Sequence, residues 1–396
     1  MRKSAGPPQR GSVALARQGP LPGWADTEPV NEFSMTTDKP VLVVEDDVWA
    51  RLIGVVLDPA TSRERWEAFA DFMSPDLPDF AAWCARVRKA APSLYPSDVR
   101  LVASTAGLHD NLPAALAVVT ESLKIAGEEL ARAPRLKVVH KYGMLLRNID
   151  AAACAARGVK VLGVRRRANM SCAEHALALM LALARRVADL NGVLSDEQLA
   201  ALGRPYRPFD RRHTPGANWG RFAGLRNLHG ATLGIIGLGE IGREIALRAA
   251  AFAMTVVYFQ RTRLPRASEE SLGVSYRTLE SLLAASDWVV PQLPLDASTS
   301  HFINSERLAL MKPGACIVNV SRAELIDRAA LLAALRSGRL GGFALDSQYQ
   351  EPGRADDELL AFDNVVLSPH MAGSPRLNGL QDIADVIAGL AGALAA

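Results

Sequence analysis

What the chain lacks narrows its class first. Its longest apolar run, Ala176 to Ala184, is about half of what a membrane-spanning helix needs. Its four cysteines, Cys84, Cys154, Cys172 and Cys316, show neither a CxxC pair nor metal-ligand spacing. That excludes a disulfide framework and a zinc cluster, and it reads as reduced thiols in the cytoplasm; no metal site is expected. The net charge of +3 is too small to argue for nucleic acid, and the basic residues are nearly all arginine. Residues 1–38, rich in Pro, Gly, Arg and Ser, have no continuous apolar core of the kind a signal peptide requires, so they read as a disordered tail.

With 396 residues and 49% apolar content, the chain can bury a large core and divide into two domains. Its sharpest signal is Thr232 to Arg263, TLGIIGLGEIGREIALRAAAFAMTVVYFQRTR. An apolar run breaks into Gly237, Gly239 and Gly242, a helical segment follows, and a second apolar run, Thr255 to Phe259, closes a strand–helix–strand unit. Glycines permit the tight turn and let backbone N–H groups approach a pyrophosphate, whose charge then rests on the helix N-terminus near Glu240 and Ile241. This predicts a dinucleotide cofactor. Where a carboxylate normally takes the ribose hydroxyls of NAD stands Gln260, followed by Arg261, Thr262 and Arg263. A neutral residue removes repulsion against a 2′-phosphate, and two guanidinium groups with a hydroxyl offer it charge-assisted bonds. NADP(H) is favoured, with NAD(H) the alternative.

The α/β alternation continues on both sides of this unit and predicts a doubly wound parallel sheet. Strands are expected at Val41 to Val44, Val99 to Ser104, Leu136 onward and Val159 to Val164, then at Trp288 to Leu293, Cys316 to Val320, Phe343 to Leu345 and Val365 to Leu367. The turn around Gly143 is a candidate anion site, and Arg165-Arg166-Arg167 reads as solvated surface unless it lines a cleft. Ser171 and Glu174 read as a capping box opening a long helix, with His175 structural. That helix is apolar on nearly every side, and residues 203–229 form a long irregular connection with aromatic anchors. Together they predict a homodimer.

The last three expected strands end in Asn319-Val320-Ser321-Arg322, in Asp346-Ser347-Gln348-Tyr349-Gln350-Glu351-Pro352 and in Ser368-Pro369-His370. A guanidinium, a carboxylate and an imidazole converge there, where ligands of such sheets bind. With GLGEIGREIA, MKPGACIVNVSRAELID, LDSQYQEP, LSPHMAG, SCAEHALALMLAL and NIDAAACAARGVKV, the chain resembles the D-isomer-specific 2-hydroxyacid dehydrogenases from about Leu136 to Ser374. The resemblance implies a Rossmann cofactor domain, residues 168–370, inserted in a smaller flavodoxin-like α/β substrate domain, residues 39–167 plus 371–396. It implies Arg322, Glu351 and His370 as catalytic residues, and Pro294, Val320 and Asp346 beside the cofactor. Lys141, Tyr142, Gly143, Met144 and Arg322 would face a small 2-keto acid of the glyoxylate or hydroxypyruvate type.

The chemistry fits those roles. Reduction of a 2-keto acid needs hydride at the carbonyl carbon, a proton on its oxygen and a cationic clamp for the carboxylate. Histidine beside a carboxylate suits the proton step and the planar arginine fork suits the clamp. Leu145 stands where a second glycine is common, Ala323 where a glycine follows the arginine, and Arg165 to Arg167 where a Pro-Gly is usual. A phosphoglycerate dehydrogenase-type activity is less expected, because no appended regulatory domain follows His370. A nucleotide-sensing corepressor is the reading from a different class.

Overall fold

The computed structural model describes residues 39–395; the expected tail, residues 1–38, lies outside them. Two parallel sheets organise the chain. The first contains β1 (Val41–Glu45), β2 (Asp98–Val102), β3 (Ala117–Thr120), β4 (Val138–Lys141) and β5 (Lys160–Gly163), in the flavodoxin-like order β2-β1-β3-β4-β5. The second contains β6 (Thr232–Ile236), β7 (Thr255–Phe259), β8 (Val274–Tyr276), β9 (Trp288–Pro291), β10 (Cys316–Asn319), β11 (Gly342–Leu345) and β12 (Val365–Leu367), in the order β12-β11-β10-β9-β6-β7-β8. The inner strands read as unbroken apolar runs because helices cover both faces of each sheet: every residue of β3, β4, β9, β10 and β11 is buried. β8 and β3 were not expected from the sequence, being short and flanked by residues with no strong alternation.

Each sheet reverses its winding once, between β1 and β3 in the first and between β6 and β9 in the second. Ligands of doubly wound sheets bind at such points, beyond the carboxyl ends of the strands. Here the carboxyl ends of both sheets open on one cleft of about 920 Å³, lined from the first side by Glu121, Lys141 and Tyr142 and from the second by Gly239, Gln292 and Arg322.

Two long helices tie the units together. The helix Leu377–Ala395 returns to the first sheet, where Leu380, Ile383, Val386, Ile387 and Leu390 are buried in one core with Val44, Leu52 and Val138. Burying each such side chain contributes about 1.5–3 kcal/mol, which holds the return helix in place. The helix Arg167–Arg185 crosses the other way. It starts one turn before the expected capping box, so Ser171 lies within it and Glu174 instead pairs with Arg248 at 2.9 Å. The cap comes from far along the chain: the Arg167 N–H donates to both oxygens of Asp382, at 3.1 and 2.9 Å, and its guanidinium donates to Asp382 and Asp385. A buried tertiary carboxylate thus replaces the local cap that the sequence pattern suggested.

The apolar girth of that helix is largely used within the chain. Ala173, Ala176, Leu177, Met180 and Ala184 are buried with Ile245 and Ala249 of the helix Glu240–Ala251 and with Val318 of β10. The connection that follows holds two short helices, Val187–Leu190 and Asp196–Ala201, and then runs irregularly to β6. Its own rings fix it, with Tyr206 edge-on to Trp219 at 6.1 Å and Arg221 over Phe209 at 4.6 Å. No helix among the described residues is long and apolar enough to cross a membrane, and no group of metal-ligating side chains occurs among them.

Candidate active site

The glycine turn between β6 and the helix Glu240–Ala251 sits at the switch point beside β9. Gly237 has φ 97°, and a Cβ there would lie 2.3 Å from the Gln292 carbonyl oxygen, so only glycine fits. Gly239 is the N-cap and provides no side-chain cap. The first-turn amides of Glu240, Ile241 and Gly242 are therefore free to meet an anion. Gln292, at the end of β9, buries an amide nitrogen with no partner among the described residues. Open helix amides, a turn that admits no side chain and an orphaned amide fit a dinucleotide lying across the turn. Pro294, Val320 and Asp346 line the same cleft.

The expected ribose edge is more divided. Gln260 is half-buried and its Nε2 donates to the Thr262 carbonyl at 2.5 Å, while Arg261 and Thr262 are exposed. Arg263 turns away: its guanidinium makes a two-pronged contact with Glu269, 2.8 Å on each arm, and lies over Tyr276. Of the two arginines expected to serve a 2′-phosphate, only Arg261 has no ion pair among the described residues. The competitor was Glu269, supplied by the next helix, which a reading confined to the strand end could not weigh.

At the carboxyl end of the second sheet, His370 Nδ1 contacts Glu351 Oε2 at 2.8 Å, leaving Nε2 without a protein partner among the described residues. The contact with His370 holds the Glu351 carboxyl below its ordinary range. His370 has φ 50°, a left-handed backbone that costs about 1–3 kcal/mol and needs its surroundings to hold it. Its N–H donates to the carbonyls of Asp346 and Ser368, at 2.9 and 3.0 Å. Asp346 is 1% exposed and grips the next two residues: its oxygens accept from Met371 N at 2.9 Å and Ala372 N at 2.8 Å, and also from Ser368 Oγ at 2.7 Å. Burial alone would raise this carboxyl, but the bonds from His175, Ser368, Met371 and Ala372 outweigh it and hold it at about 2.

His175, assigned a structural role from the sequence, is part of this network, with Nε2 2.9 Å from Ser368 Oγ and 3.3 Å from Asp346 Oδ1. Nothing local in the sequence points there, since the partners are far along the chain. Arg322 follows β10, is exposed and makes no ion pair among the described residues; its guanidinium donates to the adjacent Ser321 carbonyl at 2.9 Å. Asn319 sets its backbone by donating to the Arg322 carbonyl at 2.8 Å and accepting from Ser321 N at 2.9 Å.

On the opposite wall the turn around Gly143 forms a niche with two converging donors. The amides of Met144 and Leu145 point to one spot at 2.6 and 3.0 Å from a common acceptor, Glu240 Oε1. Leu145 in place of a second glycine therefore leaves the niche intact. Lys141 is buried and spent locally, on the Glu121 carbonyl and on Asn148 Oδ1 at 3.1 Å, and burial lowers its pKa. Tyr142 is buried under the Arg166 guanidinium, 4.3 Å from the ring centroid.

The three arginines expected at the surface each find a carboxylate. Arg165 pairs with Glu244 at 2.7 Å, Arg166 with Glu121 at 3.1 Å, and Arg167 with Asp382 at 3.0 Å. Only Arg166 lines the cleft.

A doubly wound sheet whose dinucleotide cradle shares one cleft with an imidazole and a guanidinium that makes no ion pair among the described residues defines a nicotinamide-dependent oxidoreductase. Residues 177–372 match the model of the D-isomer specific 2-hydroxyacid dehydrogenase NAD binding domain. Glyoxylate reductase of Pyrococcus furiosus is 38% identical over 267 residues, 67% of this chain and 75% of that one. D-3-phosphoglycerate dehydrogenase of Methanocaldococcus jannaschii is 35% identical over 258 residues, 65% of this chain and 45% of that one. Among solved structures, the PH0520 protein of Pyrococcus horikoshii aligns with TM-score 0.54 and 26% identity over 89% of this chain and 91% of that chain. The chain belongs to the D-isomer-specific 2-hydroxyacid dehydrogenase family, and it is an oxidoreductase that uses a nicotinamide cofactor.

Proposed function

We propose that the protein reduces a small 2-keto acid, of the glyoxylate or hydroxypyruvate type, to the D-2-hydroxy acid with NADPH. The observation that carries this reading is the His370–Glu351 contact of 2.8 Å at the end of the cleft where Arg322 stands unpaired. When bound, the nicotinamide supplies the hydride. His370 Nε2 delivers the proton to the carbonyl oxygen, Glu351 orients the imidazole through Nδ1, and Arg322 clamps the substrate carboxylate and polarises the carbonyl. Asp346 holds the His370 segment and lies beside the cofactor. The Met144 and Leu145 amides, with Gly143 between the neighbouring Lys141, Tyr142 and the turn, receive the other side of the carboxylate. Gly237, Gly239, Glu240, Ile241 and Gly242 carry the pyrophosphate. The kinship with glyoxylate reductases supports the small substrate, and the neutral Gln260 beside Arg261 and Thr262 supports NADPH.

In this reading residues 39–167 plus 371–396 form the substrate domain and 168–370 the cofactor domain. The protein works in the cytoplasm as a homodimer through the helix 173–184 and the long connection 203–229, joined by the exposed apolar residues just before that connection, Val187, Leu194 and Leu202. Light scattering at micromolar concentration checks that; a monomeric mass refutes it. The activity itself is tested by assaying glyoxylate, hydroxypyruvate, pyruvate and bulkier keto acids with both reduced cofactors. Absence of turnover throughout would remove the reading in favour of a nucleotide-sensing role.

A further inference from the structure

The niche that would take the substrate carboxylate already holds a carboxylate of the chain itself. Glu240 Oε1 accepts from Met144 N at 2.6 Å and Leu145 N at 3.0 Å, and its Oε2 accepts from Asn169 Nδ2 at 2.8 Å. The turn is built closely against it: Gly143 has φ 147°, and a Cβ there would lie 2.4 Å from Glu240 Oε1. Glu244, one helical turn further along the same helix face, pairs with Arg165 in contacts of 2.7 and 2.9 Å, so the helix is docked with Glu240 aimed into the niche.

We propose that Glu240 is an internal stand-in for the substrate carboxylate, and that a 2-keto acid binds by displacing it from the Met144 and Leu145 amides. This rests on the reading of the cleft given above. Two carboxylates cannot share one pair of donors, because like charges at that distance repel and each amide has a single proton to give. The displaced side chain has somewhere to go. Glu240 stands at the start of its helix and is only half-buried, so leaving the niche turns its carboxylate to solvent and strands no buried charge. The protein thereby carries a built-in competitor, and the apparent affinity for keto acids is reduced by the fraction of molecules whose niche is closed.

Two measurements on the full chain separate this from the functional reading. Turnover of glyoxylate by the wild-type protein tests the function. Calorimetric titration of oxamate, an unreactive keto-acid mimic, into the NADPH-saturated protein tests the niche. If the niche is open in about one molecule in ten, Glu240→Ala tightens oxamate about tenfold and lowers the glyoxylate KM by a like factor, both read at saturating NADPH. Glu240→Gln retains an oxygen for the amides but removes the repelling charge, so it shifts both values in the same direction by less. Arg165→Ala, which loosens the helix that aims Glu240 but leaves its carboxylate on the chain, should give a smaller gain in the same direction. Weaker or unchanged oxamate binding in Glu240→Ala, no oxamate binding to either protein, or a larger gain in Arg165→Ala than in Glu240→Ala overturns the inference.

Discussion

Replacing Asp346 by Asn tests whether the network under His370 is built as described. The change keeps the shape but gives one terminus two hydrogens. Both wild-type oxygens accept from donors, Oδ1 from Ser368 Oγ and Met371 N, Oδ2 from Ala372 N. Whichever way the Asn lies, its NH2 faces a donor, and a buried N–H left unsatisfied costs about 1–3 kcal/mol. The lost charge has its own magnitude: a carboxyl held at about 2 against an ordinary 3.8, in a side chain 1% exposed, corresponds to roughly 2 kcal/mol of folding stability at neutral pH. Because the folded-state value is depressed, that contribution is complete above the ordinary carboxyl range and disappears as pH falls through about 2. Thermal melts at pH 7 should show Asp346→Asn lower by about 5–10 °C, with the gap narrowing below about pH 4. Turnover should fall as well, since the grip on Met371 and Ala372 positions His370. A variant that melts with the wild type at pH 7, or a gap that does not change toward acid, would refute the account of this network.

The remaining expectations concern the chemistry and the cofactor. His370→Ala should lower kcat by about 10² to 10⁴ with little change in KM, as general acid catalysis does not hold the substrate; full activity would remove it from the mechanism. Glu351→Gln weakens the acceptor that orients the imidazole through Nδ1, so kcat should fall with little change in KM. The pair is exposed and screened, which keeps the loss modest, and an unchanged kcat contradicts the role. Arg322→Ala should damage KM and kcat together, and Arg322→Lys should recover only part, since a point charge cannot replace the fork. Gln260→Asp should shift preference toward NADH, and Arg261→Ala should raise the NADPH KM more than the NADH one; a wild-type enzyme that already prefers NADH about tenfold would refute this edge. Gly143→Ala forces a side chain into a positive φ against the Glu240 carboxylate. It should impair substrate binding and stability together, as followed by KM and by melting.

The sequence by itself determined the elements whose cause is local. Unbroken apolar runs announced β6, β9 and β10, glycine spacing announced the dinucleotide turn, and polar residues at strand ends announced Arg322, Glu351 and His370. Each of those signals is a property of neighbours in the chain. Tertiary structure decided wherever a partner comes from far away. Asp382 caps a helix that Ser171 seemed to begin, because a buried carboxylate delivered by the return helix is a better acceptor than a local hydroxyl one turn too late. His175 joins Asp346 and Ser368 only once two strands of the second sheet are aligned. Arg263 is claimed by Glu269, and Arg165 to Arg167 separate to three different carboxylates, because a guanidinium's partner is chosen by what packing brings within about 3 Å. Most of all, the Gly143 turn follows a strand of the first sheet and Glu240 opens a helix that follows a strand of the second. Each reads in sequence as an anion-binding turn and a helix-start carboxylate, and only closing the cleft makes one the occupant of the other.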